Sequence, residues 1–321
     1  MLVFALRRLL WTVPILLVVF TITFFMLRAI GGNPFRHGPL LGHGNPAWAK
    51  YNDPQPEAIA SNMARKYGLD RPWYRQYADY LGRVAAFDLG PSLTYRNRTV
   101  NEIVREQSAP TLRIGLLAFA LAVGIGVPVG ALAALRAGTA IDYGARVLSS
   151  VGIAAPSFLL ATLLISLVSV RLGWLPTSGW RPSVRYDLLP AITLALLPLA
   201  YLVRLVRASM LETLREDYVR AAVAKGLRRR TVVARHVLRN ALIPVVTVAG
   251  PLLGFLVTGS FVIESVFAIP GIGRYYVSAV AARDYPLVLG LTLLLATTIV
   301  LVNLAVDLLH GVLDPRVREA R

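Results

Sequence analysis

A chain that handles ATP needs glycines and a lysine to cradle its phosphates, and no Gly-x-x-x-x-Gly-Lys-Ser/Thr run occurs in these 321 residues. Any ATP used with this protein must therefore be hydrolysed elsewhere. There is no cysteine, which removes thiolate metal sites, iron–sulfur clusters, disulfides and cysteine nucleophiles. The four histidines, His37, His43, His236 and His310, show no metal-ligand spacing, and no serine sits in a Gly-x-Ser-x-Gly elbow. No two carboxylates share one apolar run, so neither intramembrane hydrolysis nor a proton relay is indicated. Glu264 and Asp307 stand near the ends of such runs and read either as interfacial anchors or as gate or partner contacts. Asn97-Arg98-Thr99 fits the glycosylation acceptor pattern, a short pattern that often matches by chance. Gly124, Gly126 and Gly130 lack the preceding strand of a dinucleotide loop and read as small residues for close helix packing.

What remains is a basic stretch, Glu212 to Asn240, rich in helix formers and carrying one glycine, Gly226. It reads as two short helices redirected at Gly226, because only glycine enters the left-handed region without a steric penalty. Ala221 and Ala222, five and four residues before that glycine, give a small-sided helix that another protein could approach closely. From charge alone, a basic loop held by anionic lipid is an equal reading.

The elements that position this stretch follow from composition. Apolar residues make up 56% of the chain and the net charge is +17, with the charges clustered between long apolar runs. That distribution fits a membrane protein with positive cytoplasmic loops better than a nucleic-acid binder, and no nucleic-acid partner is expected. A membrane helix needs about 20 mostly apolar residues. Six segments qualify: Leu9 to Leu27, Ile114 to Leu135, Val147 to Val170, Leu188 to Val203, Ala241 to Ile263 and Leu287 to Val306. The fourth is short and holds Pro190 and Pro198, so a kink is expected there. The first lacks a cleavage site and should remain in the mature protein. Charge bias in the short loops puts both termini in the cytoplasm, together with Arg136, Arg146 and the Glu212 to Asn240 stretch.

The external segment between the first two spans divides into an irregular part, 33–56, and helical signals. A helix from Glu57 to Tyr67 should end at Gly68. A second, capped by Asp70 with Pro72 in its first turn, should carry Tyr74, Tyr77, Ala78, Leu81, Val84 and Ala85 on one face. Thr99 and Glu102 have capping-box spacing ahead of a short helix leading into the second span. The fifth span, with Pro244, Gly250, Pro251, Gly254 and Gly259, reads equally as a pore lining or as a close-packed helix. The following Glu264 to Gly273 segment reads as a tight external turn.

Several stretches, taken in order, carry a resemblance. They are Phe4-Ala-Leu-Arg-Arg-Leu-Leu10, Tyr67-Gly-Leu-Asp-Arg-Pro72, Pro110-Thr-Leu-Arg113, Pro156-Ser-Phe158, Leu172-Gly-Trp-Leu-Pro176, Asp217-Tyr-Val-Arg-Ala-Ala222, Arg239-Asn-Ala-Leu-Ile-Pro244 and Leu313-Asp-Pro-Arg316. Over nearly the whole chain the sequence resembles the dipeptide/oligopeptide permease subunits of ATP-binding-cassette importers. Arg220 stands where that family often has Glu, and Gly32-Asn-Pro34 where it commonly has Gly-Asp-Pro.

The resemblance implies an all-α polytopic fold of the type I importer permease (MetI-like) kind. Its parts would be a first span (1–30), an extracytoplasmic region (31–110), a permease core (111–310) containing the cytoplasmic coupling loop (212–240), and a tail (311–321). It implies that Asp217, Tyr218, Arg220, Ala221, Ala222, Lys225, Gly226 and Leu227 meet an ATPase. Pro244, Gly250, Pro251, Gly254, Gly259 and Glu264 would belong to the pore or gate. The implied partners are a second homologous permease, two cytoplasmic ATPases holding ATP and Mg, an extracytoplasmic substrate-binding protein and the bilayer. No cofactor is expected on this chain, and the cargo would be a peptide, with nickel, glutathione or an oligosaccharide as alternatives. A secondary transporter would need coupling ionisable groups near mid-membrane, and the sequence offers none.

Overall fold

The computed structural model describes residues 2–30, 64–95 and 97–313. Outside these lie the 33–56 stretch, His37, His43, the Gly32 to Pro34 variant, most of the helix expected from Glu57, and the tail from Asp314. Among the described residues the structure is helical, with one isolated bridge between Pro91 and Thr99. The helices are α1 (Leu2–Ile30), α2 (Trp73–Ala85), α3 (Val100–Leu135), α4 (Ala140–Ala154) and α5 (Ser157–Leu164), which continues as a π-helical stretch, Ile165–Arg171. Then come α6 (Val184–Thr213), α7 (Asp217–Ala224), α8 (Arg229–Thr231, Val232–Val237 and Leu238–Ala241 in succession), α9 (Ile243–Val257), α10 (Phe261–Val266), α11 (Ile272–Ala282) and α12 (Tyr285–Leu313).

Among the described residues, five helical stretches are long and apolar enough to cross a bilayer: Arg7–Ile30, Val100–Leu135, Val184–Thr213, Ile243–Val266 and Tyr285–Val306. The third expected span differs. Instead of one rod over Val147 to Val170, α4 and α5 meet at 111°. Pro156 explains the break, since it offers no N–H and pushes the residue before it out of helical geometry; Ala155 is extended at φ −76°, ψ 131°. The fourth span is longer than its apolar core suggested, and α6 runs unbroken through Pro190 and Pro198. The short helix expected after Thr99 is the first part of the 36-residue α3. Its capping box is present: the Glu102 N–H donates to Thr99 Oγ1 (3.2 Å) and the Thr99 N–H to Glu102 Oε2 (3.0 Å).

The chain divides into two compact units. One comprises Met1–Ala5, Pro110–Pro270 and Thr298–Arg321, the other Leu6–Ala109 and Gly271–Thr297. In the first unit small residues let helix backbones meet, as expected where lipid offers no hydrophobic drive for association. A Cβ on Gly130 would lie 2.7 Å from the Val203 carbonyl oxygen, and one on Gly126 3.1 Å from Leu202 Cβ, so α3 is seated directly on α6. Gly124 faces open space and takes no part in this seam.

The second unit is organised by aromatic packing between α1 and α2. Tyr80 stacks on Phe20 (5.8 Å between centroids) and Tyr77 meets Phe24 edge-on (5.3 Å). Tyr77, Tyr80, Leu81 and Val84 form the inward face of α2, whereas Tyr74, Ala78 and Ala85 point outward. Its N-cap is Pro72, not Asp70, and no side chain caps it. Gly68 does end the preceding helical turn, at φ +70° with the Leu69 N–H bonded to the Ala64 carbonyl (2.8 Å). The Tyr80 hydroxyl donates to the Leu89 and Pro286 carbonyls, and burial, helped by nearby Asp284, raises its pKa and keeps it protonated.

Asp284 is fully buried, with no cation in hydrogen-bonding contact among the described residues. Its charge is instead met by donors: Ser92 Oγ (2.5 Å), the Leu93 and Thr94 N–H groups (3.0 Å each) and the Leu287 N–H (3.2 Å) at the start of α12.

Candidate functional site

The loop singled out by sequence is built as two helices joined at Gly226. α7 ends in a Schellman motif: the Gly226 N–H bonds to the Val223 carbonyl (2.9 Å) and the Leu227 N–H to that of Ala222 (3.3 Å). This closure requires Gly226 at φ +78°. A Cβ there would meet open space, so the glycine is needed for its backbone conformation and not for room. Replacing Gly226 by Asn, which tolerates that region, should leave the loop folded. Replacing it by Val should open the loop, because a β-branched residue there is strained by about 1–2 kcal/mol. Trypsin sensitivity at Arg228, Arg229 and Arg230 checks both outcomes.

One face of α7 is already occupied. Val219 and Ala222 are buried with Val232, Val237 and Ala241 of α8, and burying Val219 stabilises this contact by about 1.5–3 kcal/mol. A polar bridge adds to it, with the Asn240 amide donating to the Tyr218 hydroxyl (2.7 Å) and the His236 carbonyl (3.1 Å). The two alanines therefore have different places: Ala222 faces its own chain, and Ala221 is exposed. Beside Ala221 the outward surface carries Asp217, Arg220, Val223 (58% exposed), Lys225 and Leu227 (42% exposed). Small and apolar side chains left open to water next to charges are what a docking helix presents. Asp217 and Arg220 approach to only 3.6 Å with both side chains exposed, which contributes little to stability.

The root of α7 is clamped to the rest of the unit. Arg207, on the last turns of α6, donates Nε to Asp142 Oδ1 (2.5 Å) and Nη2 to Oδ2 (2.9 Å), and Asp142 Oδ2 also accepts from the Gly138 N–H (3.0 Å). This two-point fork fixes distance and orientation together. It ties α6 to the start of α4 and to the α3–α4 turn. A groove of about 550 Å³, lined by Arg207, Leu211, Arg215, Glu216 and Asp217 among others, runs beside the clamp to the first residue of α7. Sequence reading missed both clamp residues. Nothing in their spacing of 65 positions pairs them.

The proposed pore residues fall into different environments. Gly250 and Gly254 are buried on α12, where a Cβ would lie 3.0 Å from Asn303 Oδ1 and 3.6 Å from Ile299, so both are helix-packing positions. Pro244 is half-buried and Pro251 exposed. Gly259 is at φ +85° in the short break between α9 and α10. Glu264 lies in α10 and is buried, accepting a hydrogen bond from Thr111 Oγ1 at 2.9 Å, so the expected turn begins only after Val266. A second buried carboxylate, Asp187 at the start of α6, pairs with Arg113 of α3 at 2.5 Å. Thr111 and Arg113 are two positions apart, so one segment of α3 engages both acids.

Residues 126–319 match the model of the binding-protein-dependent transport system inner membrane component family. The chain is 38% identical over 319 residues to the oligopeptide transport system permease protein OppB of Haemophilus influenzae, covering 99% of this chain and all of that one. It is 39% identical to the Salmonella typhimurium OppB over the same length. To the dipeptide transport system permease protein DppB of Bacillus subtilis it is 39% identical over 303 residues, 94% of each chain. Among solved structures, an inward-facing MetNI methionine ABC transporter is similar in fold, with a TM-score of 0.52 at 19% identity over 66% of this chain and 96% of that one.

Proposed function

Because this chain belongs to the binding-protein-dependent transport inner membrane component family, we propose that it forms one half of the translocation pore of an importer of di- and oligopeptides. It is a multi-pass inner-membrane permease component, and ATP hydrolysis in such systems resides in separate subunits. The observation that carries the peptide assignment is similarity along nearly the full length to the oligopeptide and dipeptide permeases, external region included.

In this reading a homologous second permease completes the pore, two ATPases dock from the cytoplasm, and a binding protein delivers cargo from outside. Both termini are cytoplasmic, which puts the basic α6–α9 loop on the ATPase side. ATPase closure pushes on the outward face of α7, at Asp217, Arg220, Ala221, Lys225 and Leu227. The Schellman closure at Gly226 keeps α7 from swivelling on α8. The Asp142–Arg207 fork passes displacement of α6 to α4, so the helices move as near-rigid bodies between inward- and outward-open states. At the far end of α3, Thr111 with Glu264 and Arg113 with Asp187 supply polar contacts that can re-form as access alternates.

The test is reconstitution of the four membrane-associated subunits with the binding protein in proteoliposomes. Uptake of labelled di- to pentapeptides that requires ATP is the expected result. Uptake of nickel, glutathione or an oligosaccharide in place of peptides would overturn the cargo, and uptake without ATP would overturn the mechanism.

A further inference from the structure

The second unit contains a cavity of about 1090 Å³ that the transport reading leaves unused. Its apolar floor comes from membrane helices, with Phe24 and Leu27 in the last turns of α1 and Leu289 near the start of α12. Its rim comes from the external segments and is basic. Five cations line it, Arg28, Lys66, Arg71, Arg83 and Arg98, against two carboxylates, Asp79 and Asp88. Arg71 is neutralised by Asp79 at 2.9 Å, and Arg98 is held by Glu106, outside the lining. Arg28, Lys66 and Arg83 have no carboxylate within ion-pair distance among the described residues; Lys66 lies over the Tyr67 ring at 5.8 Å.

Depth decides what reaches such a cavity. α2 packs beside the outer part of α1: Trp73 against Phe25 (5.6 Å between centroids), the Tyr77 hydroxyl against Thr21 Oγ1 (2.8 Å), and Tyr80 against Phe20. From Phe20 to Ile30 α1 rises about 15 Å, so α2 lies alongside the last part of the span and not above it. Trp73 and Tyr74 remain 48% and 54% exposed, amphipathic rings of the kind enriched at membrane interfaces. With α1 spanning the bilayer, a cavity with an apolar floor and a cationic rim beside these rings would meet phosphates on one side and acyl chains on the other.

We propose that this cavity binds the headgroup of an anionic glycerophospholipid from the extracytoplasmic leaflet. Arg28, Lys66 and Arg83 attract the phosphate, and Phe24, Leu27 and Leu289 receive the first carbons of an acyl chain. The inference needs the membrane orientation given above but not the cargo or the ATPase contacts.

The experiment uses the assembled transporter, stripped of lipid in detergent and titrated with phosphatidylglycerol or phosphatidylcholine. Bound lipid is counted by native mass spectrometry. Wild type should retain phosphatidylglycerol in preference to phosphatidylcholine, and the triple variant Arg28→Gln, Lys66→Gln, Arg83→Gln should lower that retention about tenfold. Equal retention of the two lipids, or no change in the triple variant, would overturn the proposal. Displacement of the lipid by millimolar inorganic phosphate would overturn the lipid source and leave a small-anion site. Should the variant fail to assemble, photoactivatable phosphatidylglycerol on wild type decides the matter. Cross-links within 64–99 or at the end of α1 support the site, and cross-links confined to other segments refute it. Peptide uptake is read separately, so loss of lipid binding and loss of the transport assignment remain distinguishable.

Discussion

Replacing Ala221 by Trp is expected to reduce ATP-driven uptake more than about tenfold while leaving the protein inserted and its cytoplasmic loop folded. Ala221 points away from α8, so an indole there adds bulk only to the outward face. Overpacking a fitted contact is unfavourable by about 1–3 kcal/mol, and 1.4 kcal/mol is about a factor of ten in affinity. The same substitution at Ala222 should act differently. That side chain is 7% exposed and packed in the α7–α8 core, so Trp there should unseat α7 and raise protease sensitivity before any partner is involved. Co-purification of the ATPases with each variant, with limited proteolysis, separates the two effects. Normal ATPase retention and uptake with Ala221→Trp would show that α7 does not dock through this face.

The contrast between these neighbouring alanines marks where sequence reading stopped. A small-residue helix ended by glycine was legible, because left-handed geometry has a strong residue signature and Gly226 supplies it. Which alanine faces outward depends on the position of α8, and α8 lies there because Val219 finds Val232 and Val237, a tertiary fact without local signal. The membrane helices were legible for a similar reason: hydrocarbon thickness sets an apolar length, and charged residues bracket it. The failures came where a local rule had competing outcomes. Pro156 breaks its span by 111°, whereas Pro190 and Pro198 leave α6 continuous. Pro190 stands in the second turn, where few intrahelical bonds are lost, and Pro198 is buried among neighbouring helices that hold the rod together. The fifth span's glycines were ambiguous between pore and packing, and the contacts to Asn303, Val306 and Ile299 put Gly250 and Gly254 on the packing side. Charge pairs were least legible, since Asp142 with Arg207 and Asp187 with Arg113 are joined only by the fold.

Replacing Gly115 by Val should disrupt the permease core more severely than a comparable change at Gly124. A Cβ at Gly115 would run into the Leu256 carbonyl oxygen and stand 2.9 Å from Val257 Cα, so the obstacle is the backbone of α9, which has no alternative rotamer to adopt. α3 and α9 must separate, and Leu256 is fully buried in the shared core, so the separation also opens packing around Ile114 and Ala118. Overpacking in a membrane interior is unfavourable by about 1–3 kcal/mol or more when no side chain can move aside. The effect should extend to Thr111, one turn away on α3, and so to its hydrogen bond with the buried Glu264. Gly124, with nothing within 4 Å of a Cβ, should accept Val with little change. Thermal unfolding of the two variants in detergent, followed by size-exclusion chromatography, checks the ranking. A Gly115→Val protein as stable as Gly124→Val would mean that α3 and α9 are not in backbone contact in the membrane. If the contact holds, the same close approach has a functional consequence: α3 and α9 cannot slide independently, and the short break at Thr258, Gly259 and Ser260 becomes the place where α10, carrying Glu264, can turn relative to α9.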